Sequence, residues 1–82
     1  MSESINLPRL GDTVDEVLIL EWLVSVGSQI SQGDPLVRVE TDKVEVDVES
    51  PFSGVLEEIS VNVGDEVKTG SLICRIIKSE EI

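Results

Sequence analysis

Histidine, alanine and tyrosine are absent from the 82-residue sequence, and cysteine, tryptophan and phenylalanine occur once each. Without histidine, and with Cys74 alone, the chain can build no His/Cys zinc site, no Ser-His-Asp triad, no Cys-x-x-Cys redox pair and no intrachain disulfide. Most familiar catalysis is thereby excluded. Basic residues are also scarce: six against seventeen acidic ones give a net charge of −11 and a pI near 4.1. Such a surface repels nucleic acid and anionic membranes, so a charged partner is expected to be basic. The longest apolar run, Val17 to Leu20, is too short to cross a bilayer, and the residues before Pro8 do not read as a secretory signal.

What is present is β-branched. Thirteen valines, eight isoleucines and three threonines stand in a chain that lacks the best helix former, and 40% of all residues are apolar. The material suffices for a small packed core, with a stability of about 4 to 12 kcal/mol expected for a chain of this length. Strict alternation in Val44-Glu45-Val46-Asp47-Val48-Glu49 predicts a strand with valines inward and carboxylates in water; Val61-Asn62-Val63 repeats it in short form. Apolar runs over 17–26, 36–41, 55–63 and 72–77 are punctuated by Gly27, Gly33-Asp34-Pro35, Ser50-Pro51, Ser53-Gly54, Gly64-Asp65 and Gly70. Short strands with regular turns predict an all-β sandwich or flattened barrel.

An internal repeat sharpens this expectation. Residues 24–39 align without gaps on residues 61–76 at an offset of 37, with Val24, Val26, Gly27, Gly33 and Arg38 identical to Val61, Val63, Gly64, Gly70 and Arg75. Two halves related by a pseudo-twofold axis would produce this pattern. The loop near residues 41–44 then maps onto residues 78–81, so one end carries a closed hairpin and the other both chain ends.

That hairpin runs up through Leu36 to Thr41, turns at Asp42-Lys43 and returns from Val44 to Glu49. On spacing alone, Lys43 reads as a solvated turn lysine able to pair with Asp42 or Glu45. Asp-Lys is not the Asn-Gly or Asp-Gly pair that tight two-residue turns favour, so turn propensity does not account for it.

The segment Glu40-Thr41-Asp42-Lys43-Val44 resembles the attachment motif of lipoyl domains from the acyltransferase components of 2-oxo acid dehydrogenase complexes. The resemblance extends over nearly the whole chain: Leu7-Pro8 with Leu10-Gly11 is similar to the opening strand and loop, Glu21-Trp22 to the second strand, Gly33-Asp34-Pro35-Leu36 to the run into the hairpin, and Ser53-Gly54-Val55 to its exit. Gly27 and Gly54 fall where such domains carry structural glycines. Val17 departs from the glycine or alanine often found before the tryptophan strand. The resemblance implies a fold of two four-stranded antiparallel sheets with internal pseudo-twofold symmetry, and lipoate in amide linkage to Lys43. It implies recognition through Glu40, Thr41, Asp42, Val44 and Glu45. It also implies a non-catalytic carrier that shuttles acyl groups and reducing equivalents between active sites. The partners would be a lipoate ligase or lipoyl transferase, a 2-oxo acid decarboxylase, an acyltransferase catalytic domain and dihydrolipoamide dehydrogenase, with the isolated domain monomeric. The missing histidine agrees, since the transacylase module of such complexes uses a histidine base.

Alternative readings are a biotinyl carrier, although biotin acceptors resemble Met-Lys-Met where Asp42 and Val44 flank the lysine here, and an unmodified lipoyl-like hairpin domain. The lipoyl carrier of glycine cleavage is longer and adds helical segments. Glu45, Asp47 and Glu49 read either as protection of a strand edge or as a docking face around the lysine. No D-x-D-x-D-G run suggests calcium. Cys74 is expected to be a buried strand residue, and Trp22 to pack on the sandwich without a ligand. The carrier domain is expected over residues 1–78, with 79–82 beginning a linker or tail. The expected compartment is the bacterial cytoplasm, or the mitochondrial matrix if a transit peptide has been removed.

Overall fold

The β-branched runs condense into eight short strands: β1 (Ser2–Asn6), β2 (Glu16–Trp22), β3 (Gln29–Ile30), β4 (Pro35–Glu40), β5 (Glu45–Glu49), β6 (Gly54–Ile59), β7 (Glu66–Lys68) and β8 (Leu72–Lys78). The computed structural model describes residues 2–10, 15–41 and 44–78. Two antiparallel four-stranded sheets form, in the orders β1-β8-β6-β3 and β5-β4-β2-β7. Between them lies a core that includes Leu7, Val17, Ile19, Ile30, Leu36, Val39, Leu56, Ile73 and Ile76, all at most 2% exposed. Burying one such side chain stabilises by about 1.5 to 3 kcal/mol, and each strand supplies inward positions at a period of two.

The repeat in the sequence reappears as a repeat of hydrogen bonds. Gly27 N–H donates to Leu56 O and Gly64 N–H to Ile19 O, both at 2.8 Å. Leu23 N–H donates to Leu36 O and Ser60 N–H to Ile73 O, both at 2.9 Å. In each pair, adding 37 to the first bond's donor gives the second donor. The β-bulges repeat as well, between Ile19 and Glu21 in one sheet and between Leu56 and Glu58 in the other. Gly27 and Gly64 hold φ near +93 and +94, which explains why the repeat keeps glycine there.

Two expected strand segments are turns. Val24 to Val26 and Val61 to Val63 lie outside the strands, and Val26 and Val63 are 59% and 61% exposed. The reason is local: Asp65 Oδ2 accepts from Asn62 N–H at 2.9 Å, and Ser28 Oγ from Ser25 N–H at 3.2 Å. Side chains thus take backbone bonds that a ladder would have used. Leu7, assigned by resemblance to the opening strand, follows β1 and anchors it, with its N–H donating to Ser71 O and its carbonyl accepting from Gly70 N–H.

Chain direction fixes the two ends of the sandwich. β4 and β5 start and finish at Pro35 and Glu49, which pair, and only residues 50–53 separate Glu49 from Gly54, which pairs with Lys78. Ser2 lies opposite Ile77 on that side. The β4–β5 hairpin closes at the far side, in a molecule 38 Å along its longest axis. The hairpin tip and the outer ends of β1 and β8, at Ser2 and Lys78, therefore occupy opposite ends, as the repeat predicts.

Candidate functional site

The hairpin has a stiff root. Val37 and Val39 of β4 are fully buried and Val48 of β5 is 2% exposed, so packing locks both strands to the core. Pairing runs from Pro35 opposite Glu49 to Glu40 opposite Glu45. Beyond that last pair, Thr41 N–H donates to Val44 O at 2.8 Å and Thr41 Oγ1 donates to the same oxygen at 3.2 Å. Asp42 and Lys43 link Thr41 to Val44 in sequence and lie outside the described residues, as do Gly11 to Val14. The alternating valines grade outward along β5: Val48 is buried, Val46 half-buried and Val44 58% exposed. The core ends before the tip.

Among the residues expected to surround the lysine, Glu40 and Glu45 are exposed and directly opposite each other, Val44 is exposed, and Thr41 is buried at 8% exposure. Like charges so placed cost about 0.2 to 1 kcal/mol, and the hydroxyl bond of Thr41 contributes on the order of 1 kcal/mol in the opposite direction. Asp47 is committed elsewhere. Its carboxylate accepts from Arg38 Nε at 3.0 Å, and Glu21 stands 4.0 Å from the same guanidinium. The hydrogen bond from Arg38 to Asp47, followed by their charge attraction, raises the Arg38 pKa.

Sequence reasoning missed Leu18 and Glu66. Glu45, Glu40, Leu18 and Glu66 are consecutive cross-strand partners across β5, β4, β2 and β7, and thus share one outer row at the hairpin end. Nothing local in the sequence joins Glu66 to Glu40, because β2 mediates the contact. The corresponding row on the other sheet is Ser2, Ile77, Val55 and Gln29, which carries no formal charge.

Gly27 has open space where a Cβ would stand, so its positive φ is what requires glycine. Gly54 is different: a Cβ would lie 2.0 Å from the Ile77 carbonyl oxygen. Cys74 is fully buried, as expected, and burial pushes its thiol up to about 11. Trp22 is half-buried against the core and donates from Nε1 to Val61 O at 3.0 Å, tying β2 to a loop.

A family model described as "Biotin-requiring enzyme", whose name joins biotin and lipoyl, matches residues 3–76. The chain belongs to the biotin–lipoyl domain family. A relative of this biotin–lipoyl domain is the dihydrolipoyllysine-residue acetyltransferase component of the pyruvate dehydrogenase complex of Corynebacterium glutamicum, 40% identical over 99% of this chain and 12% of that protein. Another is the dihydrolipoyllysine-residue succinyltransferase component of the 2-oxoglutarate dehydrogenase complex of Staphylococcus saprophyticus, 42% identical over 84% of this chain and 16% of that protein. The domain thus spans under one fifth of the length of either relative. In fold it matches the solution structure of the lipoyl domain of the 2-oxoglutarate dehydrogenase complex from Azotobacter vinelandii, with a TM-score of 0.73, 28% identity and coverage of 92% and 95% of the two chains. The two-sheet architecture inferred from the sequence is the architecture of that domain.

Proposed function

We propose that the chain is a lipoyl carrier domain that bears lipoate in amide linkage on Lys43. The observation that carries this reading is the register of the hairpin. Glu40 pairs with Glu45 and Thr41 bonds to Val44, which leaves Asp42-Lys43 as the whole connection between two core-locked strands. A carrier lysine has to enter several active sites in turn, so it is best mounted on a narrow projection from a rigid body. Lys68 lies within β7, opposite Glu16, and Lys78 ends β8 with its Nζ 3.9 Å from Glu3 and 4.8 Å from the centroid of the Phe52 ring. Neither occupies a hairpin connection.

When attached, lipoate supplies a redox-active dithiolane that can accept an acyl group. The chain's own sulfur is unsuited to that task, because Cys74 is buried and its thiol is held protonated far above neutral pH. The protein contributes placement: the valines of β4 and β5 hold the root of the arm, and Glu40 and Glu45 set a negative field beside it. In this reading the domain catalyses nothing itself. It is a substrate for a lipoate ligase or lipoyl transferase, then for the decarboxylase, acyltransferase and dihydrolipoamide dehydrogenase of a 2-oxo acid dehydrogenase complex, in the cytoplasm of a bacterium. The components named for the bacterial relatives support that assignment.

Biotin is the second reading, favoured by the description of the matching family model. The two separate by mass. Incubating the chain with a lipoate ligase and, in parallel, with a biotin ligase should add one lipoyl group in the first reaction and nothing in the second. Biotin uptake without lipoate uptake would reverse the assignment.

A further inference from the structure

Thr41 closes the base of the hairpin from both its backbone and its side chain. Its N–H donates to Val44 O at 2.8 Å and its hydroxyl donates to the same oxygen at 3.2 Å. The residue is only 8% exposed, so an approaching macromolecule meets Glu40, Val44 and Glu45 before it meets this hydroxyl. Recognition by direct contact, the role the family resemblance suggests for Thr41, does not suit a side chain so placed.

Two features act to open the same point. Glu40 and Glu45 face each other directly and repel. Asp-Lys offers neither the glycine nor the asparagine that a two-residue turn uses to reach positive φ at low cost. A short connection with poor turn residues and a repulsive pair at its base depends on the bonds that close it. Here the closing bond is doubled on one acceptor.

We propose that Thr41 is a positioning residue for the modification of Lys43: its hydroxyl keeps Thr41 and Val44 together and so restricts the orientations from which the lysine amine is captured. The inference rests on the reading of Lys43 as the attachment lysine. Its physical basis is preorganisation, in which the ordering needed for capture is met before the encounter and not during it.

The test uses the full chain, unmodified, with lipoate ligase, lipoate and ATP, followed by intact mass over time at subsaturating domain concentration. Thr41→Val keeps the branched shape and removes the hydroxyl, while Thr41→Ser keeps the hydroxyl and removes the methyl. Thr41→Val should be modified about three- to tenfold more slowly, the loss expected for one hydrogen bond. Its thermal midpoint should fall by no more than about 8 °C, the shift expected for the loss of one such hydrogen bond in a domain of this size, and Thr41→Ser should react near the wild-type rate. Equal rates for wild type and Thr41→Val would overturn the proposal. So would equal slowing of both variants, which would assign the effect to methyl packing, or slowing that comes only with a larger fall in the midpoint. A wild-type chain that takes up no lipoate would overturn the carrier reading and this inference with it, and is recognisable because the failure is already present in the wild type.

Discussion

Gly54 is the residue at which the fold tolerates least. Alanine there would drive a Cβ to 2.0 Å from Ile77 O and 2.8 Å from Ile76 Cγ2, and a backbone carbonyl within a paired sheet cannot swing aside. Gly54→Ala should therefore lower stability by about 2 to 3 kcal/mol or more, a large share of what a chain this size has to lose. A shift of the urea midpoint measures it; a midpoint equal to wild type would show that β6 and β8 are not packed this closely. Cys74 offers a second test at the same scale. With its thiol pushed up to about 11 by burial, it should resist alkylation by iodoacetamide at pH 8 in the native chain and react readily once the chain is unfolded in urea. Rapid labelling of the native chain would contradict the buried assignment. Because the unfolded thiol ionises at lower pH than the folded one, this group also makes stability fall as pH rises from about 9 toward 11.

Among the elements, the hairpin shows where stability and placement conflict. Glu45 opposes Glu40 directly, while its attraction to Arg38 is the weakest of the influences on that guanidinium. Like charges directly opposite each other destabilise a sheet, so Glu45→Gln should stabilise the chain by roughly 0.2 to 1 kcal/mol at low salt. The gain should fade toward 1 M salt, where the Debye length is about 3 Å. Denaturant titrations at both ionic strengths check this, and destabilisation at low salt would mean that Glu45 is held by a favourable partner. The strands were legible from β-branched content, and the hairpin from the alternation of Val44 to Glu49, because both signals are local. Val24 to Val26 and Val61 to Val63 misled for a physical reason. A loop that packs one valine and exposes the next shows the same period of two as a strand, and the side-chain bonds of Ser28 and Asp65, with the glycine turns at Gly27 and Gly64, decide between them. Leu18 and Glu66 escaped notice because their place in the row depends on pairing through β2 with strands distant in sequence.

The whole molecule is a symmetric scaffold used asymmetrically. Both halves share their glycine turns, bulges and bonds across the pseudo-twofold, yet one end carries a closed hairpin with acidic residues beside it and the other carries Ser2 opposite Ile77 in an uncharged row. The repeat at an offset of 37 makes the placement of hairpin and chain ends legible in the sequence, whereas the charge difference between the two rows depends on strand pairing. In the proposed reading, lipoate supplies the reactive sulfur that the buried Cys74 does not, and the hairpin connection is where it is attached. The most direct measurement is site mapping of lipoate on the full chain: incubation with a lipoate ligase, then intact mass and peptide sequencing of wild type and Lys43→Arg, a change that keeps the charge but cannot be acylated. The predicted result is one lipoyl group on Lys43 in the wild type and none in the variant, with both chains equally folded. Lipoate found on Lys68 or Lys78, or retained by Lys43→Arg, would contradict it.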